Sequence, residues 1–309
     1  MNIISISICI VAAWLGRVAA SYDWSFQQRL IVSEETSGTY GITPPALFGR
    51  GFLTLITGFD GSSSSPGIYV HTTDDGYVRN GQYVWSQQAK LLPKDIQAGD
   101  GFGSYMLATN NTLLISSPAA EFSRGVIYVF NGTLRHWSQI QRLSSPEPQA
   151  NERFGERMTL YHNKLLIGAK GTNRQLVTSG GSVYVYARPS TGIYWSRQGK
   201  LFPRDTITNQ FFGETLSMFD NLAVVSARND DAETDTGSAY IFQETNSLWS
   251  QQQKLIALDM QNYRLGVQLD VCVLLFCLQY VKFIGVSAFV CVVSPHCTFV
   301  WRASEICPI

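Results

Sequence analysis

Between residues 22 and 265, apolar and polar positions alternate in short runs, and no stretch shows the spacing of a long amphipathic helix. Alternation of this kind predicts strands with one face turned to a core. The clearest stretch is Trp195–Phe242. It opens on Trp-Ser, reaches Phe212-Gly213, alternates through two apolar runs, crosses an acidic loop and closes on Gly-Ser-Ala-Tyr-Ile-Phe.

The same order of events recurs. Aligned on tryptophan, five segments read W-S-x-x-x-[KR]-L, at Trp24, Trp85, Trp137, Trp195 and Trp249. The glycine of an aromatic-glycine pair follows 17 or 18 residues on, at Tyr40-Gly41, Phe102-Gly103, Phe154-Gly155 and Phe212-Gly213, with Leu265-Gly266 as a weakened copy. Two strands are predicted next: Tyr105–Ala108 with Leu113–Ser116, Met158–Tyr161 with Lys164–Ala169, and Leu216–Phe219 with Leu222–Ala227. A third begins at the glycines of Gly67-Ile-Tyr-Val, Gly125-Val-Ile-Tyr-Val-Phe, Gly181-Ser-Val-Tyr-Val-Tyr and Gly237-Ser-Ala-Tyr-Ile-Phe. The following W-S segment is the fourth, with its basic residue and glutamines expected to face water.

Four short antiparallel strands at a tryptophan period of 52 to 61 residues suit a β-propeller blade. One such sheet cannot bury both faces, so neighbours must cover it. The expected fold is all-β, with about four complete four-stranded antiparallel blades and a partial fifth over residues 21–266.

The ends differ from this region. Ile3–Leu15 is apolar and Val18-Ala19-Ala20 offers small residues before Ser21, so residues 1–20 read as a secretory signal peptide. The alternative is an apolar first strand or helix. Residues 267–309 form an apolar tail that holds five of the six cysteines, Cys272, Cys277, Cys291, Cys297 and Cys307, in no zinc spacing. Within it, Val271 to Val293 has the length of a membrane anchor but carries Lys282 at its centre. A degenerate or truncated blade is the competing reading.

A formal net charge of zero and a pI near 6.9 offer no footprint for nucleic acid. No serine elbow or convergent His/Asp/Glu set points to catalysis. His71, His136, His162 and His296 each read as surface or turn residues.

The order W-S-x-x-x-K-L, F-G, Leu166-Ile-Gly-Ala169 and G-S-x-Y-V-F resembles the FG-GAP repeat family, the repeat of integrin-alpha-type propellers, over residues 24–266. Such propellers usually close with seven blades. The resemblance implies calcium in a D-x-[DN]-x-D-G-like loop between the first and second strands. The matching turns here, at Asn110-Asn111-Thr112, His162-Asn163-Lys164 and Phe219-Asp220-Asn221, are too short and carry at most one carboxylate, so no calcium site is carried over. Asp230, Asp231, Glu233 and Asp235 form an acidic loop that is at most a weak metal candidate and otherwise a solvated loop. Asp74-Asp75-Gly76 reads as a turn, and so does Asn131-Gly132. Asn110 and Asn131 head glycosylation sequons.

The expected function is a secreted or cell-surface binding or adhesion module for an extracellular protein or glycan, not an enzyme. By resemblance, its ligand meets the loops leading into each blade (Glu34–Thr39, Pro93–Asp100, Ser145–Asn151, Pro203–Gln210) and those joining second and third strands (Phe59–Pro66, Ala119–Arg124, Gly171–Gly180, Asn229–Thr236). The rivals are an accessory region of an extracellular hydrolase and a truncated remnant without activity of its own.

Overall fold

The computed structural model describes residues 46–48, 54–57, 67–79, 82–109, 111–133, 136–174, 177–229 and 237–256. The signal segment 1–20, Trp24, Tyr40-Gly41, the loops 34–39 and 59–66, Asn110, the acidic loop at Asp230–Asp235, Leu265-Gly266, Val271–Val293, His296 and every cysteine lie outside them.

Among the described residues, sixteen strands form four antiparallel sheets of four, each in plain sequence order. The first holds β1 (Ala46–Phe48), β2 (Thr54–Thr57), β3 (Ile68–Arg79) and β4 (Gln82–Leu91). The second holds β5 (Met106–Ala108), β6 (Thr112–Ser117), β7 (Val126–Thr133) and β8 (His136–Ser144). The third holds β9 (Met158–Tyr161), β10 (Lys164–Ala169), β11 (Ser182–Ala187) and β12 (Ser196–Leu201). The fourth holds β13 (Phe212–Phe219), β14 (Leu222–Ala227), β15 (Ser238–Thr245) and β16 (Leu248–Ile256). In the first, second and fourth sheets the W-S segment lies in the last strand, and in the third that strand starts at Ser196, just after Trp195. No described helix is long and apolar enough to cross a membrane.

Contacts divide the chain into two compact units, one of residues 1–115 and 128–140, the other of 116–127 and 141–309. In the first unit, Asp74-Asp75-Gly76 is not a turn. It lies inside β3, where the register jumps between Thr73, opposite Trp85, and Val78, opposite Tyr83. The hairpin closes later, with Arg79 opposite Gln82, so the extra residues are absorbed as a bulge. Asn131-Gly132 is not a turn either, since β7 runs through it to Thr133. Gly132 is there for close approach: a Cβ would lie 2.3 Å from the His136 carbonyl oxygen and 2.8 Å from the Trp137 backbone. His71 is also not at the surface. It is buried in β3, its Nε2 without a hydrogen-bond partner, and burial holds its pKa below the usual value.

In the second unit, the middle strands explain why a lone sheet would not suffice. From Leu165 to Ala169 in β10 and from Ala223 to Ala227 in β14 every residue is buried, on both faces of the pleat. Leu166, Val183 and Val185 of the third sheet share one core with Leu216, Ala223, Val225 and Phe242 of the fourth. The backbone locks the pair together. The Phe212 N–H donates to the Gly180 carbonyl at 3.2 Å, Phe211 to Ser179 at 3.0 Å and Asn209 to Thr178 at 2.8 Å. Gly181 has a φ of 81°, and a Cβ on it would sit 2.1 Å from the Phe212 carbonyl oxygen, so only glycine fits. The same seam recurs one repeat earlier, where Phe154 donates to the Arg124 carbonyl at 2.9 Å beside Gly125.

Candidate functional site

Behind the loops of each blade stands a repeated column of side chains. The Phe of the F-G pair meets the Tyr of the third strand edge to face: Phe102 with Tyr128 at 5.7 Å, Phe154 with Tyr184 at 5.4 Å, Phe212 with Tyr240 at 5.6 Å between centroids. Such a pair contributes about 0.5–1.5 kcal/mol beyond its buried area. The basic residue of the outer strand caps the Tyr ring from the opposite register position: Lys90 over Tyr69, Lys200 over Tyr184, Lys254 over Tyr240. These amines do not face water as alternation predicted. The Lys200 side chain is only 17% exposed, because the lysine stem lies along the aromatic beneath it.

Two residues before the F-G pair sits a group that sequence inspection missed. Glu152 is fully buried and accepts from the hydroxyls of Tyr184 at 2.7 Å and Ser145 at 2.9 Å, and from the Gln149 N–H at 3.1 Å. Burial first, then the Glu152 carboxylate, pushes the Tyr184 hydroxyl well above the ordinary phenol range, so it remains a donor. One blade later the place belongs to Gln210, which donates to the Tyr240 hydroxyl at 2.9 Å, while Tyr240 donates to Asp205 at 3.0 Å. Burial works to raise the pKa of Asp205, but hydrogen bonds from Lys254 and Tyr240 outweigh it and hold the carboxyl below its usual value. The fixed offset of Asp100, Glu152 and Gln210 from the following phenylalanine was the available signal.

On this frame four of the expected ligand-facing loops in the second unit are tied into one row. Asn151 donates to the Phe122 carbonyl at 3.3 Å, joining the loops at 119–124 and 145–151. Gln149 and Asn173 exchange two hydrogen bonds, of 2.7 and 3.1 Å, joining 145–151 to 171–180. Loop 171–180 meets 203–210 through the seam already described and through Arg174, whose guanidinium carbon lies 3.6 Å from the centroid of the Phe202 ring. Arg174 and Val177 pair as a small bridge at the tip. Pro93–Asp100 belongs to the first unit, where Asp100 accepts from the Gln97 N–H at 2.8 Å, as Glu152 does from Gln149.

The loop at 119–124 is strained. Glu121, Phe122 and Ser123 have φ of 55°, 62° and 59°, a left-handed turn made of residues that each carry a Cβ. Each costs roughly 1–2 kcal/mol relative to a right-handed conformation. The turn is held by the Ser123 N–H on the Ala119 carbonyl, by the Arg153 N–H on the Ser123 carbonyl and by an ion pair between Glu121 and Arg142. Its product is Phe122, 84% exposed.

His136 starts β8, and His162 lies in the β9–β10 turn against Tyr161. Among the described residues no group of three or more His, Cys, Asp or Glu is placed to hold a metal ion. Asn131 is half-buried in β7, its amide nitrogen 3.5 Å from the Thr112 hydroxyl.

Comparison with known proteins agrees with the repeat geometry. The profile described as FG-GAP repeat matches residues 85–130, 137–186 and 195–242. No curated protein matches. Among solved structures, one titled "Structure of YjhT" is similar with 12% sequence identity and a TM-score of 0.36, over 68% of this chain and 70% of that one. Three consecutive profile matches on sheets that close with the tryptophan strand place residues 85–242 in the FG-GAP repeat family, and make the described sheets blades of a β-propeller.

Proposed function

We propose that this chain is an extracellular binding or adhesion module that recognises a protein or glycan through its blade-face loops. The observation that supports the reading is the loop row at 119–124, 145–151, 171–180 and 203–210. Its backbone is fixed by repeated hydrogen bonds while its side chains differ from blade to blade. A rigid scaffold under variable loops is the arrangement that binding modules use. A signal peptide at residues 1–20 and a glycan at Asn110 belong to this reading; a metal or a catalytic residue does not.

The test immobilises the full chain against a panel of extracellular ectodomains and a glycan array. A variant with residues 119–124 and 171–178 replaced by Gly-Ser segments is run beside it. The expected result is a ligand bound by the natural chain and lost by the variant, with the thermal unfolding of both still cooperative. Binding indifferent to both replacements, or no ligand across the panel, contradicts the proposal.

A further inference from the structure

Among the described residues, the bases of the four tied loops and of the outer strands behind them outnumber the acids. Those acids are all committed. Glu121 pairs with Arg142, Glu147 with Arg197 and Lys200, and Asp205 with Lys254, while Glu152 is buried among hydroxyls. The outer strands supply the bases for those three ion pairs. Three arginines of the loops themselves are therefore left without a carboxylate. Arg124 has a buried Nε that meets no hydrogen-bond partner. Arg174 reaches only the Thr206 hydroxyl, at 3.5 Å, and Arg204 donates from its guanidinium to the Gln251 carbonyl at 3.4 Å.

Arg174 is the best prepared of the three. Its guanidinium lies over the Phe202 ring and the residue is half-buried, which lowers the cost of ordering it. Near the other end of the row stands Phe122, an aromatic fixed on a strained turn rather than on a mobile tip. Exposed aromatics and arginines are the residue types that dominate binding energy at protein interfaces.

Resting on the binding-module reading, we infer that this face takes an acidic polypeptide segment, with carboxylates on Arg174 and Arg124 and an apolar pocket or side chain over Phe122. A polyanionic glycan fits less well. The loop arginines come singly, at 124, 174 and 204, interleaved with exposed Phe122 and Phe202, and the whole chain has no net positive charge. Spaced carboxylates carried among apolar groups are what a polypeptide offers.

The experiment uses fluorescence anisotropy with the full chain and three probes: a labelled peptide of alternating glutamate and leucine, its glutamine-leucine counterpart, and a heparin hexasaccharide. The glutamate peptide is expected to bind about 10-fold more tightly than the glutamine one, and to weaken as salt rises. Arg174→Ala and Arg174→Lys should each weaken it at least about 5-fold with unchanged melting, since lysine lacks the stacked fork. Arg174→Glu should lose the glutamate peptide and gain a lysine-leucine one. Equal binding of the glutamate and glutamine peptides, indifference to Arg174→Ala, or binding of heparin alone overturns the inference. An uncharged ligand from the loop-replacement screen that binds Arg174→Ala equally well would also overturn it, while leaving the binding-module reading intact.

Discussion

Tyr184 donates to Glu152 across 2.7 Å in a place with no solvent, and the residue equivalent to Glu152 one blade on is the neutral Gln210. The third blade thus buries a carboxylate where the fourth buries an amide and moves its acid to Asp205, 45% exposed beside Lys254. Both solutions keep the tyrosine hydroxyl bonded and the loop before the F-G pair closed. Glu152→Ala leaves the Ser145 and Tyr184 hydroxyls without that acceptor, at a cost of about 2–3 kcal/mol, whereas Glu152→Gln imitates the fourth blade and costs about 1 kcal/mol. Urea denaturation of the two variants checks the ordering; equal losses would show that the carboxylate itself is required.

The seam between blades depends on Gly181. Gly181→Ala adds a Cβ that would lie 2.1 Å from the Phe212 carbonyl oxygen, at a backbone φ of 81°. A loss of at least about 2 kcal/mol is expected from the conformational penalty and the clash together. Gly199 is the control, since a Cβ there meets nothing within 4 Å and Gly199→Ala should change stability by less than about 0.5 kcal/mol. Thermal melting of both variants makes the comparison.

His71 occupies the place where the other repeats put Phe130, Tyr186 and Phe242. Burial lowers its pKa in the folded state from the ordinary 6.5, so the unfolded chain binds more protons just below that value. Its neutral form is fully compatible with folding above about pH 6.5, and stability is lost as pH falls from there towards the folded-state pKa. His71→Phe should narrow the difference in melting temperature between pH 7.5 and pH 5.5. An unchanged difference would mean that His71 does not carry it.

Phe122→Gly should relieve one left-handed residue and raise stability by about 0.5–1 kcal/mol, while weakening whatever the loop row binds. A stabilised variant with full binding would show that the strain serves no recognition. Chemical denaturation paired with the peptide anisotropy assay reads both effects.

The strands were legible because their signals are local. The tryptophans mark the outer strand of every described blade, and Met158–Tyr161, Lys164–Ala169 and Leu222–Ala227 end where alternation said they would. What escaped depends on contacts between strands and loops rather than on local composition. Asn131-Gly132 has the composition of a hairpin turn, but there the glycine lets β7 pass close to His136 and Trp137. The outer-strand lysines look solvated by periodicity, yet each lies over a tyrosine from the neighbouring strand. The left-handed run at Glu121–Ser123 has no glycine to announce it, because hydrogen bonds and an ion pair from beyond the loop hold it.

Backbone bonds in front of the F-G pair, from Phe154 to Arg124 and from Phe212 to Gly180, zip neighbouring repeats together. Amide hydrogen exchange on the full chain reads this without any substitution. The amides of Phe154 and Phe212 should exchange at least about a thousandfold more slowly than an unstructured chain, close to that of Val225 in a central strand. If Val225 is protected while Phe154 and Phe212 exchange as freely as exposed loops, the sheets form but are not joined in this way, and the central claim is wrong.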